Sequence, residues 1–287
     1  MNNKMKKILL KSLLFSAPIA VSLTSINLFK NSTLFMPDEY KLVKKIVNRL
    51  ANKNDLGKRE IAFTITTGGV ASYYAKDVGL CKRDSKESCA YYKFLNPFKK
   101  YPDPTINEII RLSYLSGSGS ASASSLGTIA IDRNYFRIMD GKENLMVCTI
   151  GHELAHILNL DTSNDSLRLN EESKGLNNDK RDELSARISR ETEENADLYS
   201  QEMVIKAGYP EDTCIKKMEH TMNIRHMPKV TKLDTHPTIP ERLSALKGAV
   251  NTNQEKRYEE VEKTRIVWEF DRDLNILKFI PIKSKKD

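Results

Sequence analysis

The sequence is poor in aromatic residues, which make up 7% of its 287 positions and include a single tryptophan. Basic residues outnumber acidic ones, 46 to 38, but they are interspersed and form no stripe interleaved with aromatic side chains. Such a stripe is typical of proteins that bind nucleic acid, so we expect no nucleic-acid partner. The chain also shows no internal repeat and no aromatic stripe of the kind that stacks on sugars.

Long hydrophobic runs are equally scarce, since the one candidate lies at the N-terminus. Four lysines precede an apolar run from Ser12 to Val21, which is the pattern of a secretory signal. We expect cleavage after Ser22, so that residues 1–22 are a signal peptide. The alternative is an uncleaved anchor to about Phe29, through which the chain would associate with a membrane. Either way we expect an exported protein, periplasmic in a bacterial cell envelope or anchored facing the periplasm.

Cysteine is rare as well, with four residues in the chain and none near the signal junction, so a lipid anchor is not expected. Cys81 and Cys89 bracket a short polar loop that a disulfide could close. A second bridge could join Cys148 to Cys214, and a buried free thiol at Cys148 is the alternative. Four cysteines allow three pairings, and the sequence does not choose among them.

The most informative motif is His152-Glu153-Leu154-Ala155-His156. It lies in a predicted, largely apolar helix of about 18 residues, on which two histidines four apart project from one face and can bind one metal ion. An unpaired Glu153 carboxylate on a buried helix would cost several kcal/mol, so two ordinary core histidines are a poor explanation. Gly151 weakens the helix and indicates that space is needed there.

A catalytic zinc ion needs a third protein ligand, and the predicted helix from Arg181 to Ala207 offers Glu193. Glu193 lies in a charged run, for which a solvated helix face is the alternative interpretation. Asp197 follows one turn later, where its carboxylate can accept the outer N–H of a zinc histidine, His152 by preference, and fix its orientation. We therefore predict His152, His156 and Glu193 as metal ligands.

These residues resemble the HtpX-like and CaaX-prenyl-protease-like zinc metallopeptidases, in which the histidine motif is followed on a later helix by Glu-x-x-x-Asp. The blocks Thr235-His236-Pro237 and Glu241-Arg242-Leu243 are similar to a further block of that family, and the resemblance covers about residues 105 to 250. It implies a gluzincin, an α+β and mainly helical zincin-like domain with a small β-sheet, with endopeptidase activity. Because this chain has one candidate span, it resembles the soluble extracytoplasmic branch, associated with envelope protein quality control.

The chain divides into the signal, a metallopeptidase domain at about 35–255 and a C-terminal β-hairpin appendage at 256–287. Periodicity predicts helices over 37–51, 211–222 and 240–250 and a strand over 61–66. We predict a flexible loop at 117–125 and then a strand at 127–131, which is either the edge strand that pairs with substrate or an internal strand. The polar segment 161–180 is expected to be a mobile insertion, either a lid or a plain solvated loop.

These patterns predict a hydrolase with one zinc ion per chain that acts on protein or peptide substrates. Glu153 would serve as general base, and His236 or Arg242 would donate to the developing oxyanion. His236 capping the metal in a resting state is an alternative. The other two histidines, His220 and His226, are expected at the surface. Rival functions are a chaperone-like envelope protein without catalysis and a peptidoglycan amidase.

Overall fold

The computed structural model describes residues 36–82, 86–224, 231, 233–253 and 265–282. Its helices are α1 (Asp38–Ala51), α2 (Val70–Asp77), α3 (Lys86–Lys93), α4 (Pro104–Ser116), α5 (Arg133–Ile138), α6 (Glu143–Leu158), α7 (Asp161–Glu172), α8 (Asn178–Lys206), α9 (Thr213–Ile224) and α10 (Ile239–Asn253). Its strands are β1 (Ile61–Thr66), β2 (Ala121–Ala123), β3 (Thr128–Asp132), β4 (Arg265–Asp271) and β5 (Ile276–Ile282). The fold is thus α+β and mainly helical, which confirms the predicted class. The signal segment 1–22 and His226 lie outside the described residues.

The strands form one sheet in the order β2-β3-β1-β5-β4. Strands β1 and β3 are parallel, and the other neighbouring pairs are antiparallel. The alternation in β1 buries Ile61, Phe63 and Ile65 in the core, as the sequence period predicts. Helix α1 packs against this core. Its buried Tyr40 hydroxyl donates to Asn275 O at 2.7 Å and accepts from Ile65 N at 2.9 Å.

The C-terminal hairpin, β4 and β5, forms two of the five strands of this sheet. Strand β5 pairs with β1, and Phe279 on β5 packs in the same core as Phe63. Trp268 donates its indole N–H to Asn48 Oδ1 on α1 at 2.9 Å. The predicted hairpin is therefore confirmed, but it completes the sheet of the domain and is not an appendage.

Two segments differ from their predicted structure. The Gly/Ser/Ala-rich stretch predicted as a flexible loop contains β2, which pairs with β3, so β3 is internal and β2 is the edge next to it. The polar segment 161–180 is not a loop, because α7 occupies most of it. Helix α7 buries no side chain and is held by ion pairs to α8, so no apolar period marks it in the sequence.

Both candidate disulfides are formed, Cys81–Cys89 and Cys148–Cys214. The second joins α6 to α9, so Cys148 is not a free thiol. Two disulfides indicate an oxidising compartment and thus an exported protein. Within the described ranges, no helix has the length and apolarity that a membrane span requires.

The long helix α8 packs closely against α6 at Gly151. A Cβ atom at this position would lie 2.6 Å from Ser200 Oγ, which donates a hydrogen bond to Cys148 O at 2.8 Å. With Ser200 in its present rotamer, a side chain at position 151 would displace this hydroxyl, which explains the space that the sequence indicated at this position. The contact sets where α8 lies relative to the two histidines of α6.

We expect Gly151→Ala to lower the free energy of unfolding, because overpacking of about 1–3 kcal/mol outweighs a helix-propensity gain of at most about 1 kcal/mol. Ser200→Ala removes the clashing oxygen, so the double variant should be less destabilised than the two single costs predict, by about 1 kcal/mol. Urea unfolding of the four proteins measures this coupling. Strictly additive costs would contradict the proposed contact.

Candidate metal centre

Three side chains converge at the C-terminal half of α6. His152 and His156, one helical turn apart, bring their Nε2 atoms to 3.1 Å from each other. Glu193 of α8 places Oε2 at 3.1 Å from His152 Nε2 and Oε1 at 3.5 Å from His156 Nε2. The candidate ligand atoms of the three residues all lie within 4.8 Å of one another. The structure thus brings together the three residues that the sequence predicted as ligands.

The arrangement fits a metal better than it fits an internal hydrogen-bond network. Glu193 Oε2 is buried, and its approach to His152 lacks hydrogen-bond geometry, which leaves this oxygen without a hydrogen-bond partner in the described part of the chain. A buried carboxylate oxygen in that position needs a cation. Two imidazole nitrogens and one carboxylate are a donor set that zinc accepts, with a fourth position left for water.

Asp197 supports the first histidine from behind. Its Oδ1 lies 3.0 Å from His152 Nδ1, although not in line with the ring N–H. Arg242 of α10 makes two hydrogen bonds to the same carboxylate, Nε to Oδ2 at 2.5 Å and Nη2 to Oδ1 at 2.6 Å. Burial acts to raise the pKa of Asp197, but the hydrogen bonds from Arg242 and the nearby ring of His152 hold it well below its usual range. Asp197 therefore stays ionised beside the centre.

Asp161 supports the second histidine, which the sequence did not predict. Its Oδ2 lies 2.7 Å from His156 Nδ1. Leu160 adopts a left-handed conformation, with φ +56°, which ends α6 and turns the first residue of α7 back toward the motif. The position of Asp161 directly after the motif helix is the sequence signal for this contact. It lies in the segment 161–180, for which the sequence predicts a mobile insertion.

The carboxylates make the centre strongly attractive to positive charge. Burial opposes protonation of His156, but hydrogen bonds to Asp161 and Glu193 raise its pKa to about 10. Burial likewise acts to raise the pKa of Glu193, yet the close rings of His152 and His156 hold it far below its usual range. The same field favours a divalent cation between the two rings.

Glu153 lies next to the ligands and is 6% exposed. Burial is the main cause of a raised pKa for its carboxyl, while the charges of His152 and His156 act in the opposite direction. It lines the same cavity of about 430 Å³ as the three candidate ligands, with strand β2 along another wall. The cavity is thus bounded by an edge strand and contains a carboxyl group whose proton affinity is increased, which suits a general base.

The two predicted oxyanion donors differ in position. His236 is exposed, lines the cavity and has its Nε2 3.4 Å from Glu193 Oε1. Arg242 is half-buried and both of its short contacts go to Asp197, so its guanidinium holds the carboxylate behind His152. His220 is not at the surface as expected, because it is half-buried with Nε2 2.9 Å from Ile138 O.

The fold and the centre are consistent with a zincin-like metallopeptidase, with a candidate metal-binding motif on α6 and an acidic candidate ligand on α8. The model of peptidase family M48 matches residues 179–250, which include Glu193, Asp197, His236 and Arg242. The match covers about a quarter of the chain and is consistent with the HtpX-like M48 family that the sequence resembles. The histidine motif lies before the matched region in the sequence, and the fold brings His152 and His156 next to Glu193 of that region. No curated protein and no solved structure matches this chain.

We expect Asp161→Ala to weaken zinc binding about 10- to 100-fold, since outer carboxylates orient and strengthen histidine ligands. A competition titration with a coloured chelator measures the affinity. Asp182→Ala, an exposed site on α8, is the matched control and should bind zinc like the wild type. Equal affinities for the two variants would show that Asp161 does not position His156.

Proposed function

We propose that this protein is a zinc-dependent endopeptidase that hydrolyses peptide bonds of envelope or misfolded proteins. The observation that carries the proposal is the convergence of His152, His156 and Glu193 with the buried Glu153 beside them. One zinc ion per chain would be held by these three ligands. The outer residues Asp161, Asp197 and Arg242 would keep the ligands in place.

A bound zinc ion would lower the pKa of its water toward about 7 and polarise the substrate carbonyl. Glu153 would accept the proton of the attacking water and pass it to the leaving amine, a role that its raised pKa favours. His236 faces the same cavity and would donate a hydrogen bond to the carbonyl oxygen as negative charge develops there. Arg242 would act as a positioning residue through Asp197.

Strand β2 gives the proposed substrate a place to bind. It lies at an edge of the sheet, and Ala121 to Ala123 line the cavity of the metal centre. An extended peptide could add to this edge through main-chain hydrogen bonds, which require no particular side chains. Such binding suits misfolded proteins of varied sequence.

Two other functions make different predictions for the same centre. A chaperone-like protein would bind unfolded chains without cleaving them, and a peptidoglycan amidase would cleave cell-wall peptides and leave proteins intact. The buried Glu153 favours hydrolysis over binding alone, because a buried carboxyl group beside the ligands has no evident use in a protein that only binds.

Paired variants separate chemistry from metal binding. We expect Glu153→Gln to keep stoichiometric zinc and to lose casein cleavage by at least about 100-fold, since it cannot accept the proton. Glu193→Ala should lose zinc, which elemental analysis by mass spectrometry measures, whereas Glu194→Ala on the exposed face of α8 should keep both zinc and activity. Full cleavage by zinc-loaded Glu153→Gln would refute the mechanism.

We further propose that the protein is exported to the periplasm, where both disulfides can form. Fractionation of bacteria that express the full chain should recover it in the periplasmic or membrane fraction, shortened by residues 1–22 if the signal is cleaved. Thiol labelling before and after reduction should show four protected cysteines. A cytoplasmic, full-length, fully reduced protein would contradict this proposal.

A further inference from the structure

A second and larger cavity opens next to the metal centre. It has a volume of about 1070 Å³ and shares Thr235 and His236 with the cavity that contains Glu153. Its other walls come from α5, α9 and the start of α10. Because the two cavities meet at the same segment, a peptide bound at the centre can place a neighbouring residue in the second one.

One wall of this second cavity carries Lys217 of α9, a lysine that is 8% exposed. The contact recorded for its Nζ within the described ranges is Met218 Sδ at 4.0 Å, and a thioether is a weak acceptor. A buried ammonium group without an oxygen partner is strongly unfavourable.

The carboxylates around this cavity are engaged elsewhere. Asp140 binds Lys142 Nζ at 3.0 Å, and Asp234 accepts a hydrogen bond from the backbone of Thr231. Lys217 is therefore a positive charge that faces the cavity without a described counter-ion.

The two arginines of the wall differ from Lys217 because each donates to an oxygen atom. Arg242 is neutralised by Asp197, and Arg137 Nε donates to the carbonyl of Tyr114 at 2.8 Å. Lys217 also acts electrostatically on Glu153, which places its charge near the reacting groups. Lys217 thus adds a positive charge to the wall of this cavity.

We propose that this second cavity is a substrate subsite that receives a carboxylate, with Lys217 as the residue that recognises it. The inference rests on the proposed peptidase function and adds a specificity to it. The carboxylate would come from an aspartate or glutamate side chain next to the scissile bond, or from the free C-terminus of a short peptide. A charge-assisted hydrogen bond to Lys217 would supply the missing partner of the ammonium group.

Quenched fluorescent peptides test the proposal on the zinc-loaded full chain. One neutral parent peptide carries Glu or Gln at each position around the scissile bond in turn, and a second pair ends in a free carboxylate or an amide. For the wild type we expect kcat/KM to be about 10-fold higher for the carboxylate at one position, or for the free C-terminus, than for its neutral counterpart. The two peptide sets distinguish the two sources.

Substitutions at Lys217 should change this ratio. In Lys217→Met the ratio of carboxylate to neutral peptide should fall to about 1, and in Lys217→Glu a peptide with lysine at that position should become the better substrate. Lys216→Met is the matched control, since Lys216 is its exposed neighbour on α9 and pairs with Asp212 at 2.7 Å. That variant should keep both the activity and the ratio of the wild type.

Each outcome decides a separate question. If the wild type cleaves the neutral parent but prefers no carboxylate anywhere, the subsite is refuted while the peptidase stands. An equal loss of kcat/KM on both peptides in Lys217→Met would assign the lysine to structure or chemistry, and would overturn the proposal. If the Lys217 variants do not fold, the wild-type ratio alone decides. No cleavage of any peptide by the zinc-loaded wild type would instead refute the proposed function.

Discussion

The close packing of α8 against α6 is the constraint on which the site depends. Gly151 permits the approach, and Ser200 fixes it with a hydrogen bond to the backbone of α6. His152 follows Gly151 directly, and Glu193 lies two turns before Ser200 on α8. A wider separation of the helices would therefore move the carboxylate away from the two imidazoles. The disulfide from Cys148 to Cys214 holds α9 against the same stretch of α6.

A line of charged groups extends from this contact into the rest of the domain. Arg242 of α10 binds Asp197 of α8, and Asp197 reaches the outer nitrogen of His152. A buried ion pair contributes little net stability, but loss of either partner leaves an uncompensated charge in the interior. The pair therefore fixes the position of α10 more than it stabilises the fold.

Helical spacing made the candidate ligands of the centre predictable. Residues four apart on one helix must share a face, so His152 and His156 could be assigned together, and the run around Glu193 could be placed on a helix face by the same geometry. Asp161 could not be found in this way, because its position depends on a left-handed Leu160 that follows the motif. Helix α7 could not be recognised from an apolar period either, because it buries no side chain. An ion pair holds it to α8, with Arg168 of α7 at 2.6 Å from Glu191 of α8.

The order of the strands in the sheet could not be predicted from local patterns either. The strand patterns of β1, β3 and the C-terminal hairpin were visible, but period alone does not say which strand lies at an edge. Glycine, serine and alanine dominate the stretch 117–125 and predict a loop, although β2 lies within it and has small side chains that leave this edge strand uncovered. A wall with small side chains discriminates little between peptides.

Any preference of this centre for particular sequences must therefore arise elsewhere in the cleft. The cavity beyond His236, whose wall carries Lys217, is a part of the described cleft where charged side chains can select between peptides. Main-chain pairing at β2 would let the centre bind peptides of many sequences. The charged pocket would then require a carboxylate at one position of the peptide.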